Sequence, residues 1–385
     1  GSASSASTTN RTAESGRTAG ERPVRVVAKI GTASITDQRG AIDGAAVAKL
    51  SDEVAGLRRL GHEVIVVSSG AVAAGVAALG MSSRPTDMQT LQAISAAGQS
   101  RLVEAYNAEL ARHDLVGAQV LLDPHDFVDR TQYLHARRTI DRLLELGCVP
   151  VVNENDAIAN DELRFGDNDR LAALVANSVG ADVLVLLTDM DGVYTADPRR
   201  DPGATLVPLV RSGDPLLAIT ADGGGSGRGS GGMASKLMAA RMASWSGLRS
   251  VIARASRPDV LAGAVSDELV GTTFERHDRS LPARKLWIAF AAEVAGVVEV
   301  DDGAERALTD RPNSLLPAGV VTTHGDVVVG AVIEVAGPSG RAFARGLVAI
   351  DRTVLQSVAG RHTSDLPAGV THEVVHRDDL VVLPT

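Results

Sequence analysis

HEVIVVSSGAVAAGVAALGMSS, residues 62–83, carries no charge beyond Glu63. From Val64 onward it is long enough to be taken for a membrane-spanning helix. Its texture argues otherwise. Only Val64 to Val67 form an unbroken apolar run, and the remainder is mainly alanine, glycine and serine. A buried strand running into a glycine-rich turn accounts for that pattern, and it points to a protein of strands and helices.

The same alternation runs outward in both directions. VRVVAKI (24–30) is a β-branched run that ends at glycine, and GAAVAKLSDEVAGLRRLG (44–61) has helical spacing and a glycine stop. Beyond the opening stretch come a helix over residues 88–112, the strand LVGAQVLL (115–122) and the helix RTQYLHARRTIDRLLELG (130–147). CVPVVNEND (148–156), NDRLAALVANSVG (168–180) and ADVLVLLTDMDG (181–192) then read as strand, helix and strand. Strands apolar on both faces, alternating with helices, predict an α/β fold with a mainly parallel sheet sandwiched by helices. Such sheets bind ligands at the carboxyl ends of their strands. Those ends read Lys29 to Gly31, Ser68 to Gly70, Asn153 to Asp156, and Thr188-Asp189, so the polar residues gather on one edge.

Near residue 281 the text changes to short apolar runs parted by turn residues, which predicts a small all-β domain. Residues 1–22 are small, polar and dotted with arginine, and read as a disordered tail. The expected division is therefore 1–22, 23–280 and 281–385. A length of 385 residues agrees with two domains. A net charge of −9 and an aromatic content of 3% give no general pull toward nucleic acid. The single cysteine, Cys148, fits a reducing compartment and reads as a small core residue. With no apolar leader in the opening residues, a cytoplasmic location and no membrane association are expected.

Glycine-rich turns recur at the strand ends. AKIGTAS (28–34) places Gly31 and Thr32 after Lys29, and VSSGAVAAG (67–75) repeats the device with Ser69, Gly70 and Gly75. FGDNDRLAAL (165–174) sets Asp167, Asn168 and Asp169 where a helix begins. GRGSGGMASKLMAARMA (227–243) runs from a glycine loop into a helix N-terminus, where backbone N–H groups favour phosphate. Taken singly, each has a plainer reading: close helix–strand packing, a helix cap with two solvated acids, or a flexible linker. Composition adds weight. The chain has four lysines (Lys29, Lys49, Lys236 and Lys285), and arginine makes up the rest of its 38 cationic side chains. Lys29 and Lys236 fall in the anion-ready turns, and Lys49 reads as a residue of an exposed helix. A lysine is a compact charge that can follow one oxygen, as phosphoryl transfer requires.

With these motifs in view, the chain resembles the glutamate 5-kinases of the amino-acid kinase family from Val24 to its end. VVAKIGT, VSSGAVAAG, VPVVNENDAIA, RFGDNDRLAALVA, VLLTDMDGVYTADPR and GSGGMASKL occur in that family's order. The segment after residue 281 resembles a PUA domain. The resemblance implies the amino-acid kinase fold and ATP-dependent phosphorylation of the L-glutamate γ-carboxylate to L-glutamyl 5-phosphate, the first step of proline biosynthesis. Lys29 and Lys236 would contact the transferring phosphoryl group, and Asp169 would hold both. Ser69, Asp156 and Asn168 would bind glutamate. Lys29, Thr188, Asp189 and the loop Ser230, Gly231, Gly232, Met233, Ala234, Ser235 and Lys236 would bind ATP, with Mg2+ arriving on the nucleotide and no metal ligand in the chain. The resemblance also implies a homo-oligomer (dimer or tetramer), feedback inhibition by proline and a glutamyl-phosphate reductase partner.

One departure from the family is Ala33, where a second hydroxyl residue is usual. Aspartate, N-acetylglutamate or UMP kinases would use the same sheet and lysines, and NENDAIA, FGDND and the trailing β-domain favour free glutamate. A protein that binds RNA through its PUA-like segment is the reading from another class.

Overall fold

The computed structural model describes residues 22–37, 39–158, 168–211, 214, 232–278, 280–292, 294–367 and 371–383. Eight of its strands form one sheet: β1 (Arg25–Ile30), β2 (Glu63–Ser68), β3 (Gly117–Leu122), β4 (Val149–Glu154), β5 (Val183–Thr188), β6 (Leu209–Val210), β7 (Arg249–Arg254) and β8 (Gly271–Phe274). Their order is β3-β4-β2-β1-β5-β7-β8-β6. Every neighbouring pair is parallel except β7 with β8.

The helices between them are α1 (Thr32–Ile35), α2 (Gly44–Arg59), α3 (Ala71–Ala78), α4 (Met88–Ala111), α5 (Arg130–Glu145), α6 (Asn168–Ser178), α7 (Met233–Trp245) and α8 (Val260–Val265). Aspartates start three of them: Asp43, Asp87 and Asp129 each accept backbone N–H groups as N-caps of α2, α4 and α5. Glycines with positive φ close α2 and α5, at Gly61 and Gly147.

Two apolar layers cover the sheet, and the period-two alternation of β1 sorts its residues between them. Val26, Ala28 and Ile30 pack with α2, α4 and α8. Val27 packs with α5, α6 and α7. Lys29 shares the facing of Val27, and that directs it toward α6 and α7.

The second sheet comprises β9 (Val294–Val300), β10 (Val320–Gly325), β11 (Val332–Ala336), β12 (Ala342–Val348) and β13 (Val375–Val382), in the order β10-β9-β11-β12-β13. It has its own apolar core. Ahead of it run α9 (Ala283–Leu286) and a further helical turn, Trp287–Ala291. Leu286, Trp287, Ile288 and Phe290 are buried with Val332 and Val381 of this sheet and with the α6 and α7 layer of the first. One apolar cluster thus joins the two sheets.

Several sequence expectations need correction. Residues 71–78 are the helix α3, where the sequence reads as a turn. The β-rich segment contains two helices, α10 (Asp302–Asp310) and α11 (Arg352–Val358). Cys148 is half-buried rather than a core residue. Residues 1–21 of the expected tail lie outside the described residues, whereas Arg22 is described and pairs with Asp182.

Candidate active site

Lys29, the last residue but one of β1, is 2% exposed. Its Nζ lies 2.7 Å from Asp169 Oδ1. Asp169 is the second residue of α6 and almost wholly buried. Its other oxygen, Oδ2, lies 3.2 Å from Nζ of Lys236, in the first turn of α7, and accepts a hydrogen bond from Ser235 Oγ. A carboxylate placed by one helix thus holds two lysines delivered by a strand and a second helix. Burial pushes the Asp169 carboxyl up, but Lys29 and Lys236 outweigh it and hold the group at about 2. Two ammonium groups against one carboxylate give this trio a net charge of +1.

On one side of β1 lies the set of residues expected to bind glutamate. Ser69 follows β2, and its backbone N–H donates to the Ile30 carbonyl at 3.2 Å, beside Lys29. The chain then turns through Gly70, whose φ of +106° is the left-handed region that glycine tolerates. Asn168 Oδ1 accepts from the Glu154 backbone N–H at 3.2 Å, which ties the start of α6 to the end of β4. Asp156, two residues past β4, is 5% exposed. Its Oδ2 accepts from Ser95 Oγ at 3.0 Å, and its buried Oδ1 has no hydrogen-bond partner among the described residues. Burial pushes this carboxyl up to about 6, against the Ser95 hydrogen bond and the charge of Arg84.

On the other side of β1 stand the residues expected to bind ATP. Thr188 ends β5 and is buried, and its Oγ1 donates to Asp189 Oδ1 at 3.1 Å. Asp189 is exposed, 3.9 Å from an Arg199 guanidinium nitrogen. Gly232 is the N-cap of α7, and Met233, Ala234, Ser235 and Lys236 form its first turn. Ser230 and Gly231 lie outside the described residues, as does Asp167. Among the described residues no group of three His, Cys, Asp or Glu side chains could hold a metal.

Other contacts were not foreseen. Lys49 is not a solvated residue: its Nζ lies 2.7 Å from Glu53 and donates to the Ala255 carbonyl at 2.6 Å. The Ala255 N–H in turn donates to the Thr188 carbonyl at 2.7 Å. Arg254 pairs with Asp191 through two hydrogen bonds, of 2.6 and 3.1 Å. Gly75 serves packing rather than anion binding, since a Cβ there would lie 1.9 Å from the Ile94 carbonyl oxygen of α4. The doubled lysine was readable in advance. The polar residues of α4 carried no signal beyond their spacing.

The model of the Amino acid kinase family matches residues 24–254, and that of the PUA domain matches residues 296–370. The glutamate 5-kinase of Mycobacterium avium (strain 104) is 44% identical over 358 residues, which span 93% of this chain and 96% of that protein. The glutamate 5-kinases of Rhodococcus opacus (strain B4) and Azoarcus sp. (strain BH72) are 46% and 45% identical, each over 93% of this chain and covering 96% and 97% of their own lengths. No helix among the described residues is long and apolar enough to cross a membrane. The chain belongs to the amino acid kinase family, within its glutamate 5-kinase branch.

Proposed function

We propose that the chain transfers the γ-phosphoryl group of ATP to the γ-carboxylate of L-glutamate, giving L-glutamyl 5-phosphate, the first step of proline biosynthesis. The single observation that carries this reading is Asp169, which holds Lys29 and Lys236 through its two oxygens. The γ-carboxylate is already ionised at neutral pH and needs no strong base to become a nucleophile. The chain's contribution is positioning and charge. Lys29 lies beside Ser69, on the acceptor side of β1. Lys236 enters from the nucleotide loop. Between them they neutralise charge on the oxygens of the group in transit, and Asp169 keeps both heads in place.

Asp156, with one oxygen engaged and one open, suits the α-ammonium of a free amino acid. An N-acetylated acceptor lacks that charge and would leave the buried carboxylate unpaired, which is a strong ground for rejection. Ser69 and Asn168 complete the acceptor side, while Thr188, Asp189 and the loop from Ser230 to Lys236 take the nucleotide. The oxygens of Asp169 are occupied by lysines and Ser235, so these residues do not form a magnesium cage. The ion belongs to the ATP substrate, carried on its phosphates. The division into a kinase domain (23–280) and a PUA-like domain (281–385) is part of the same proposal.

The acyl phosphate product can be trapped with hydroxylamine as a coloured hydroxamate. Glutamate, aspartate, N-acetylglutamate and UMP are compared as acceptors, with and without proline. Glutamate-dependent hydroxamate is expected. Its absence, alongside turnover of another acceptor, would overturn the assignment.

A further inference from the structure

The acceptor side of the site leans on one helix. Ser95 and Gln99 of α4 stand four residues apart and so share a face. Both are buried, 3% and 9% exposed. A buried hydroxyl and a buried amide each need a partner to offset the loss of water, and both have one at the end of β4. Ser95 Oγ donates to Asp156 Oδ2 at 3.0 Å. Gln99 Oε1 accepts from Asn153 Nδ2 at 3.0 Å. Asn153 passes the constraint on, because its Oδ1 accepts from the Glu154 N–H at 2.9 Å, the same N–H that Asn168 Oδ1 receives at 3.2 Å.

The depth of α4 is set independently. A Cβ on Gly98 would lie 1.9 Å from the Ala71 carbonyl oxygen, so only glycine lets α4 approach α3 this closely. Helix α3 begins directly after Ser69 and Gly70. The register that brings Ser95 and Gln99 to β4 is therefore locked against the element that carries Ser69.

We propose that Ser95 and Gln99 are positioning residues that set acceptor specificity: Ser95 turns Asp156 so that Oδ1 faces the ammonium of an amino-acid substrate, and Gln99 aligns Asn153 and, through the Glu154 amide, Asn168. The inference rests on the reading of Asp156 and Asn168 as acceptor-binding residues. Among the described residues, the charge of Arg84 also acts on Asp156 and lowers its carboxyl. Without the Ser95 hydroxyl, less opposes the effect of burial on the Asp156 carboxyl.

The test is steady-state kinetics of the full chain, with glutamate and ATP varied separately, for Ser95→Ala and Gln99→Met. The loss of one such hydrogen bond is expected to raise KM for glutamate on the order of tenfold, with KM for ATP and kcat nearly unchanged. For Ser95→Ala, the acid limb of kcat/KM for glutamate should also move to higher pH. A purely structural role would disturb both substrates together and leave that limb in place, and either result overturns the proposal. If Gln99→Met fails to fold, Ser95→Ala, a change of one oxygen atom, decides alone. Unchanged kinetics in a parent enzyme that phosphorylates glutamate would remove only this inference. A parent that does not use glutamate would remove the proposed function with it.

Discussion

Both oxygens of Asp169 are committed to ammonium groups, 2.7 Å from Lys29 and 3.2 Å from Lys236. Neutralising Asp169 would leave two buried ammonium groups without this partner, and neutralising either lysine would leave Asp169 with one of its two. Lys236→Arg keeps the charge but brings a wider, planar head that cannot follow one oxygen in a tight turn. Its kcat should fall on the order of 10²–10³-fold, the usual cost of losing a group that stabilises developing charge. Lys285→Arg, at a lysine that donates to the Arg377 carbonyl, is the matched control and should retain full turnover. Near-normal kcat in Lys236→Arg would make Lys236 a generic cation. Asp156 gives a pH prediction. Its carboxyl, raised to about 6, must be ionised to pair with an ammonium, so kcat/KM for glutamate should fall as pH drops through about 6, with KM for ATP less affected. The same raised value means that Asp156 opposes folding once it ionises. Asp156→Asn should therefore stabilise the protein at pH 8 by up to about 3 kcal/mol, and hardly at all at pH 4, where Asp156 is already neutral. Denaturant midpoints at the two pH values check this, and equal shifts would contradict it. Lysine against a background of arginine made Lys29 and Lys236 legible in the sequence. Lys49 misled, because helical spacing does not say which face meets Ala255. Ser95 and Gln99 were silent because single polar residues in a long helix look alike until the fold selects a face.

Helices α3 and α4 meet through paired glycines, each admitting the other's backbone: Gly75 against the Ile94 carbonyl, and Gly98 against that of Ala71. Gly98→Ala would force the helices apart, and overpacking of this kind typically costs about 1–3 kcal/mol or more. Because α3 hangs from Ser69 and α4 carries Ser95, the shift should also raise KM for glutamate ahead of KM for ATP. Parallel measurement of melting temperature and both KM values would show this, and a stability loss with unchanged glutamate KM would separate the crossing from the site. The strand–helix alternation around this crossing was legible because buried parallel strands write unbroken runs such as VIVV. Helix α3 was not. Alanine and glycine leave too little apolar contrast to show a period of 3.6, and the helix depends on its neighbour for a face to bury. α10 and α11 escaped notice for a related reason, since each is brief and set among strand-like runs.

Across the molecule, the cluster around Trp287 and Phe290 binds the α6 and α7 layer to Val332 and Val381 of the second sheet. Trp287 is 5% exposed, and Trp287→Ala should cost about 3–5 kcal/mol. With this junction intact, the two sheets should melt in one transition. In the variant they should separate into two, as seen by calorimetry, and a single transition at lower temperature would argue against coupling through this residue. The sheet order has a further consequence, for how the chain is made. β1 is central, yet its two neighbours leave the ribosome far apart in time: β2 ends at Ser68 and β5 begins at Val183. At ordinary translation rates of about 5–20 residues per second, the gap amounts to roughly ten seconds. Throughout that interval the Val26, Val27 and Ala28 edge of β1 has no strand to cover it, and the Asp169 partner of Lys29 has only lately been added. A nascent chain stalled after β4 should therefore recruit a general chaperone or be cut by protease near β1, while one stalled after β7 should resist both. The strand that carries Lys29 is thus the exposed seam of the newborn protein, closed only when β5 arrives.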